Sequence, residues 1–178
     1  MKKNLIRIAI SLAVIIAVLL LFATTKPDTF RVERTMSIKA APEKVYALIN
    51  DFHEWKSWSP FEKLDTTMNK TFSGAMNGKG AVYEWSGNSN AGSGRMEITD
   101  TVQYSKITIK LDFITPFEGH NTAEFILQSD GENTKVTWAM YGPNLYLGKV
   151  MSIFFSMDAM LGSEFNKGLA DIKLLSEQ

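Results

Sequence analysis

Hydrophobic positions change their spacing along this chain of 178 residues. From Ile8 to Ala23 they are nearly continuous, with no charge among them. Through Thr29–Lys39 the positions Phe30, Val32, Arg34, Met36 and Ile38 fall two apart, and short runs with the same alternation follow. Over Leu147–Leu175 apolar residues return at helical intervals. A strand turns its side chains over every two residues and a helix every 3.6, so each spacing selects an element.

Counting Leu5, Ile6 and Arg7, the first run has nineteen residues. At about 1.5 Å per residue that approaches the roughly 30 Å hydrocarbon core of a bilayer. Arg7 is near enough to the end to snorkel. Lys2, Lys3 and Arg7 precede or open the run, so the N-terminus stays in the cytoplasm and the rest crosses. A cleaved signal peptide would have a shorter apolar core and small residues at the cut. Leu21-Phe22-Ala23-Thr24-Thr25-Lys26-Pro27 offers no A-x-A pattern, and the best cut, after Thr25, is poor. The preferred expectation is an uncleaved, single-pass signal anchor in the cytoplasmic membrane, with the domain on the extracytoplasmic side. The alternatives are a secreted or periplasmic domain after cleavage, and a buried helix of a soluble domain. Lys26-Pro27-Asp28 reads as a linker, dividing the chain into an anchor and linker (1–28) and a domain (29–178).

Within the domain, Thr29–Lys39 predicts a long strand. Pro42 and Glu43 suit the first turn of a helix whose Val45, Leu48 and Ile49 form an i, i+3, i+4 stripe, ended by Asn50-Asp51. A second short helix covers Phe52–Trp58 and stops at Ser59-Pro60. Strands follow at Met68–Ser73, Ala81–Ser86, Arg95–Val102, Lys106–Phe113, Asn121–Leu127 and Lys135–Tyr141. Gly87–Gly92 and Ser129–Asn133 read as hairpin loops. Short polar connections predict an antiparallel meander. Leu147–Leu175 predicts one long helix. A curved antiparallel sheet with that helix across it, an α+β fold, buries both apolar faces and encloses a space between them.

Charge narrows the function. Residues 29–178 hold 15 Lys/Arg against 18 Asp/Glu, a mildly acidic balance that argues against nucleic acid as a partner. The chain has no cysteine, which excludes thiol chemistry and disulfides.

The stretch Val32-Glu33-Arg34-Thr35-Met36-Ser37-Ile38-Lys39-Ala40-Ala41-Pro42-Glu43-Lys44-Val45 resembles the start of START-like/Bet v 1-like domains, the SRPBCC superfamily of polyketide cyclase/dehydrase and lipid-transport proteins. Phe52-His53-Glu54-Trp55-Lys56-Ser57-Trp58-Ser59-Pro60-Phe61 is similar to the Trp-rich segment of bacterial members. Gly80–Gly87, Asn121–Phe125, Met157-Asp158 and Phe165–Leu169 extend the likeness over residues 30–175. The resemblance implies a helix-grip fold. Seven antiparallel strands wrap the C-terminal helix, two small helices close one end, and an apolar cavity lies inside. Members include lipid carriers, receptors, cyclases and co-chaperones, so the fold does not choose among activities.

Period-two alternation turns Tyr83, Trp85, Met96, Ile98, Ile109, Leu111, Phe113, Phe125, Leu127, Trp138 and Met140 toward one interior. Bulky side chains there either line a cavity or simply pack a core. Trp55, Trp58, Pro60 and Phe61 either seal the end of that core or gate its mouth. Val150–Leu161 is apolar almost all round, with Phe154, Met157 and Leu161 beside Asp158. It is core, the wall of a pocket for a flexible ligand, or a face that meets the bilayer or a partner.

Catalytic signals are sparse. His53 and His120 lack metal-binding spacing, and GxSxG, P-loop and GxGxxG motifs are absent. No metal or cofactor is implied. His120, with Glu118 or Glu124 nearby, is a weak acid/base candidate, though a turn histidine is more often solvated. Asp158 is the carboxylate expected to reach the interior or to cap a loop, whereas Glu84 and Glu164 should point outward. The leading expectation is therefore non-enzymatic binding of a hydrophobic small molecule or lipid by a membrane-tethered domain. A cyclase- or hydrolase-like enzyme using His120 or Asp158, and a module that binds a partner peptide, are the alternatives.

Overall fold

A computed structural model describes residues 2–178. The first apolar run forms α1 (Lys2–Thr24), in which Ala23 alone is buried. It is long and apolar enough to cross a membrane or to act as a signal sequence. Residues 25–28 connect it to β1 (Thr29–Ile38).

Pro42 and Glu43 open α2 (Pro42–Asn50), which buries Val45, Tyr46 and Ile49. The next helix is shorter than Phe52–Trp58. A 3₁₀ turn at Phe52–Glu54 leads into α3 (Trp55–Trp58), and another follows at Pro60–Lys63. The last carbonyls of a helix lack intrahelical partners. In α2 two of them accept indole N–H bonds, Ile49 from Trp55 and Leu48 from Trp58, both at 2.9 Å. The two tryptophans thereby fasten the turn-rich segment to the helix it follows.

Six further strands run to Pro143: β2 (Asn69–Gly74), β3 (Ala81–Ser86), β4 (Ser93–Val102), β5 (Lys106–Thr115), β6 (Gly119–Asp130) and β7 (Asn133–Pro143). All seven strands form one antiparallel sheet in the order β1-β7-β6-β5-β4-β3-β2. The meander from β2 to β7 is as expected, and β1 closes it by pairing with β7.

The single helix expected over Leu147–Leu175 is two. Helix α4 (Tyr146–Met151) stops, and α5 (Met157–Ser176) begins after Ser156. The Ser156 hydroxyl accepts the Ala159 N–H at 3.1 Å, and Asp158 lies in the first turn. Cap and acid restart the helix in a new direction. Only α5 lies against the sheet. Its Phe165 ring stacks on Trp138 with centroids 4.2 Å apart, and Leu169 and Ile172 are fully buried. Gly168 permits this approach, since a Cβ there would sit 2.7 Å from the Trp138 ring.

An apolar cavity between sheet and helix

The inner face of the sheet carries the side chains that the alternation assigned to it. Tyr83, Met96, Ile98, Ile109, Leu111, Phe125, Leu127, Trp138 and Met140 are buried, and Trp85 and Phe113 partly so. They do not fill the space beneath α5. A cavity of about 290 Å³ remains, walled on the sheet side by Tyr83, Trp85, Met96, Leu111, Phe113 and Ala123. Trp138 and Met140 of β7 and Leu161 and Phe165 of α5 form another wall. Trp55, Phe61 and Leu64 close one side, and the β3–β4 and β5–β6 connections contribute Asn90–Gly92 and Thr115–Pro116.

Of the residues singled out from the sequence, Trp55, Phe61, Tyr83, Trp85, Met96, Leu111, Phe113, Trp138, Met140 and Leu161 meet at this cavity. Trp58, Ile98 and Phe125 lie behind it in solid packing. Phe125 is wedged between Trp138, at 5.0 Å, and the edges of Trp55 and Trp58, at 6.1 and 6.0 Å. Phe154 and Met157 are displaced from the cavity by the break before α5 and are exposed. Most of Val150–Leu161 is thus neither core nor pocket wall.

Asp158 turns outward instead of inward. It binds the Arg34 guanidinium through both oxygens, at 2.8 and 2.9 Å. Arg34 crosses the face of Gly162, where a Cβ would lie 1.9 Å from a guanidinium nitrogen. The hydrogen bonds from Arg34 hold the Asp158 carboxyl below its ordinary pKa. His120 also stands outside the cavity. Its Nδ1 is 2.8 Å from Asp112, its cross-strand partner on β5, and its Nε2 is 3.3 Å from Glu118. The hydrogen bond to Asp112 raises the His120 pKa. Glu124 is not its neighbour; it pairs with Lys106 at 2.7 Å. The two weak catalytic candidates neither converge nor reach the enclosed space. Among the described residues, no group of three or more His, Cys, Asp or Glu could hold a metal ion.

The polar side of the cavity comes from residues the sequence did not mark. Glu62 lines it, accepts the Tyr83 hydroxyl at 2.7 Å and pairs with Lys70. Burial, and then that hydrogen bond, push the Tyr83 hydroxyl pKa up, so it remains a proton donor. A carboxylate offers about four acceptor sites, so Glu62 retains capacity for a donor group in the cavity. Nearby, the buried Asp65 accepts the Thr67 hydroxyl at 2.7 Å and the N–H groups of Thr67, at 2.9 Å, and Asn88, at 2.8 Å. These bonds lower its pKa, led by the Thr67 hydroxyl. They tie the loop before β2 to the β3–β4 hairpin at the mouth. Trp85 Nε1 donates to the Ala91 carbonyl at 3.1 Å and braces the same hairpin.

Comparison with known proteins agrees with this architecture. A protein from Chromobacterium violaceum superimposes with a TM-score of 0.58 at 14% identity, covering 86% of this chain and 99% of that one. Ginseng major latex-like protein 151 from Panax ginseng gives 0.58 at 13% identity, over 85% and 100% of the two chains. The Aha1 dimer from Colwellia psychrerythraea gives 0.52 at 15% identity, over 83% and 93%. At such identities the likeness is one of fold. No curated protein matches the sequence. Residues 29–177, however, match the family described as "Polyketide cyclase / dehydrase and lipid transport". The chain belongs to that family, and its seven-stranded sheet, C-terminal helix and internal cavity are the family's fold realised in this sequence.

Proposed function

We propose that the protein is a non-enzymatic binder of a hydrophobic small molecule or lipid, which it holds in the cavity beneath α5. The observation that carries this reading is a cavity of about 290 Å³ whose walls are almost wholly aromatic and aliphatic. That is near the lower end of the roughly 300–1,000 Å³ typical of ligand pockets, which combine apolar walls with a few polar groups. The ligand is amphipathic in this account. Its apolar body lies against Met96, Leu111 and Met140, and a hydroxyl or amine meets Glu62. The absence of His120 and Asp158 from the cavity supports binding without catalysis.

In the same reading α1 is retained as a single-pass anchor, with the domain on the extracytoplasmic side. Lys2, Lys3 and Arg7 support that orientation. Retention is supported by contacts that tie helix and linker to the domain: Tyr146 donates its hydroxyl to the Leu20 carbonyl of α1 at 3.0 Å, and Asn144 donates its amide N–H to the carbonyl of Pro27 in the connecting segment at 3.1 Å.

Native mass spectrometry of the full chain, extracted gently from its membrane, tests both parts. The expected result is an uncleaved mass carrying one small apolar adduct that is released on denaturation. A bare protein with no co-extracted molecule would overturn the binding reading, and a mass lacking the first residues would overturn the anchor.

A further inference from the structure

Several exposed apolar residues of the domain lie on the β5–β6 turn and the α4–α5 connection, on the side where the chain leaves α1, whereas Met76, Val102, Tyr104 and Leu174 are exposed elsewhere. Strand register fixes that end of the sheet. Thr29 pairs with Pro143, Phe113 with Gly119, Ser93 with Thr115, and Ser86 with Ser93. The start of β1, the end of β7, the β5–β6 turn and the β3–β4 hairpin therefore share one end, and the last two line the cavity. On the β5–β6 turn, Ile114 and Phe117 are 60% and 67% exposed. Phe154, Phe155 and Met160, just before the cavity residue Leu161, are 61%, 56% and 61% exposed. Soluble monomers seldom leave large contiguous apolar patches to water.

We propose that this apolar collar is a second membrane contact, dipping into the headgroup–acyl boundary of the bilayer that holds α1, so that the cavity mouth opens onto lipid. The inference rests on α1 being a retained anchor. Continuity with α1 identifies the occupant as a bilayer. The Tyr146 hydroxyl binds Leu20, four residues before the end of α1 and thus about 6 Å inside it. Any placement of α1 with its apolar run in hydrocarbon holds α4 at the interface, where tyrosine is enriched. Charge agrees. From Asn144 to Leu161 only Lys149 and Asp158 are charged, and both are ion-paired, with Asp28 and Arg34; on the β5–β6 turn the exposed Glu118 beside Phe117 lies 3.3 Å from His120. Amphipathic surfaces of this kind settle about 5–10 Å into the interface.

The chain has no cysteine, so single-cysteine variants of the full protein can carry an environment-sensitive fluorophore in phosphatidylcholine–phosphatidylglycerol liposomes. The sites are Phe155→Cys, Phe117→Cys, Ile15→Cys within α1, and Glu132→Cys on the opposite end of the sheet. Labels at 155 and 117 should emit to the blue and be quenched several-fold by lipids with a shallow nitroxide. The label at 15 should be quenched by deep nitroxides, and the one at 132 by neither. Water-like emission at 155 and 117, with 15 quenched, would overturn the inference and leave the anchor standing. Blue-shifted but unquenched labels there would mean that protein covers the collar, which also overturns it. An unquenched label at 15 would overturn the anchor, and the collar with it.

Discussion

Ala123 sits on the cavity wall, between Ile109 of β5 and Met140 of β7 in the ladder. Replacing it by leucine adds three carbons directed at space that the wild-type chain leaves empty. Burying them contributes about 0.8 kcal/mol each, or about 2.4 kcal/mol together. Fixing the leucine rotamer costs about 0.5–1 kcal/mol. Ala123→Leu should therefore stabilise the ligand-free protein by about 1.5–2 kcal/mol. For a domain of this size that raises Tm by roughly 3–8 °C, at about 2–4 °C per kcal/mol. The assay is thermal unfolding of the full chain in detergent micelles after delipidation, followed by tryptophan emission. In native mass spectrometry the same variant should lose the apolar adduct, because the added side chain occupies its place. A close-packed interior would give the opposite sign, with overpacking costing typically about 1–3 kcal/mol. Destabilisation on that scale, or full retention of the adduct, would refute the argument that the cavity is open and receives the ligand.

Phe125→Ala, behind the cavity in the aromatic stack, should cost about 3–5 kcal/mol in chemical denaturation, as large-to-small core changes do. Trp55→Phe should cost about 1–3 kcal/mol in the same assay, since it leaves the Ile49 carbonyl without its indole donor. The imidazole of His120 should titrate above its ordinary value of about 6.5 when followed by NMR, and Asp112→Asn should bring it down. With the folded pKa raised, its contribution to stability is complete below pH 6.5 and is lost as pH rises through the folded value. Asp158 behaves in the opposite sense. Its folded pKa is depressed, so its contribution holds above about pH 3.9 and fades as pH falls through the folded value, and Asp158→Asn should remove that acid limb from a stability–pH curve.

Much of the fold was legible because its rules are local. Alternation fixed which faces of β3 to β7 point inward, and the Pro42-Glu43 start with its Val45, Leu48 and Ile49 stripe marked α2. The C-terminal region was misread because helical spacing reports a period but not a break. Ser156 followed by Asp158 was the available signal, a capping residue with an acid in the first turn. For Phe154 and Met157 apolarity left core, pocket wall and an exposed face all open, because apolar side chains also make up a large part of protein surfaces. Glu62 escaped notice because its partner Tyr83 is 21 residues away, a distance no local pattern bridges. Asp65 was readable in principle, since Asp65-Thr66-Thr67 is a sequence for an Asx turn. For His120, the missing information was register. Aligning β5 against β6 places Asp112, and not Glu124, opposite it.

The connection between α1 and β1 is four residues long, Thr25 to Asp28. Fully extended, such a segment spans about 14 Å at most. With α1 embedded, the domain has almost no radius of action. Were α1 retained as proposed, the domain could not swing across to a facing membrane or trail after a distant acceptor as a shuttle would, and a ligand in its cavity would be taken up and released beside the bilayer that holds α1.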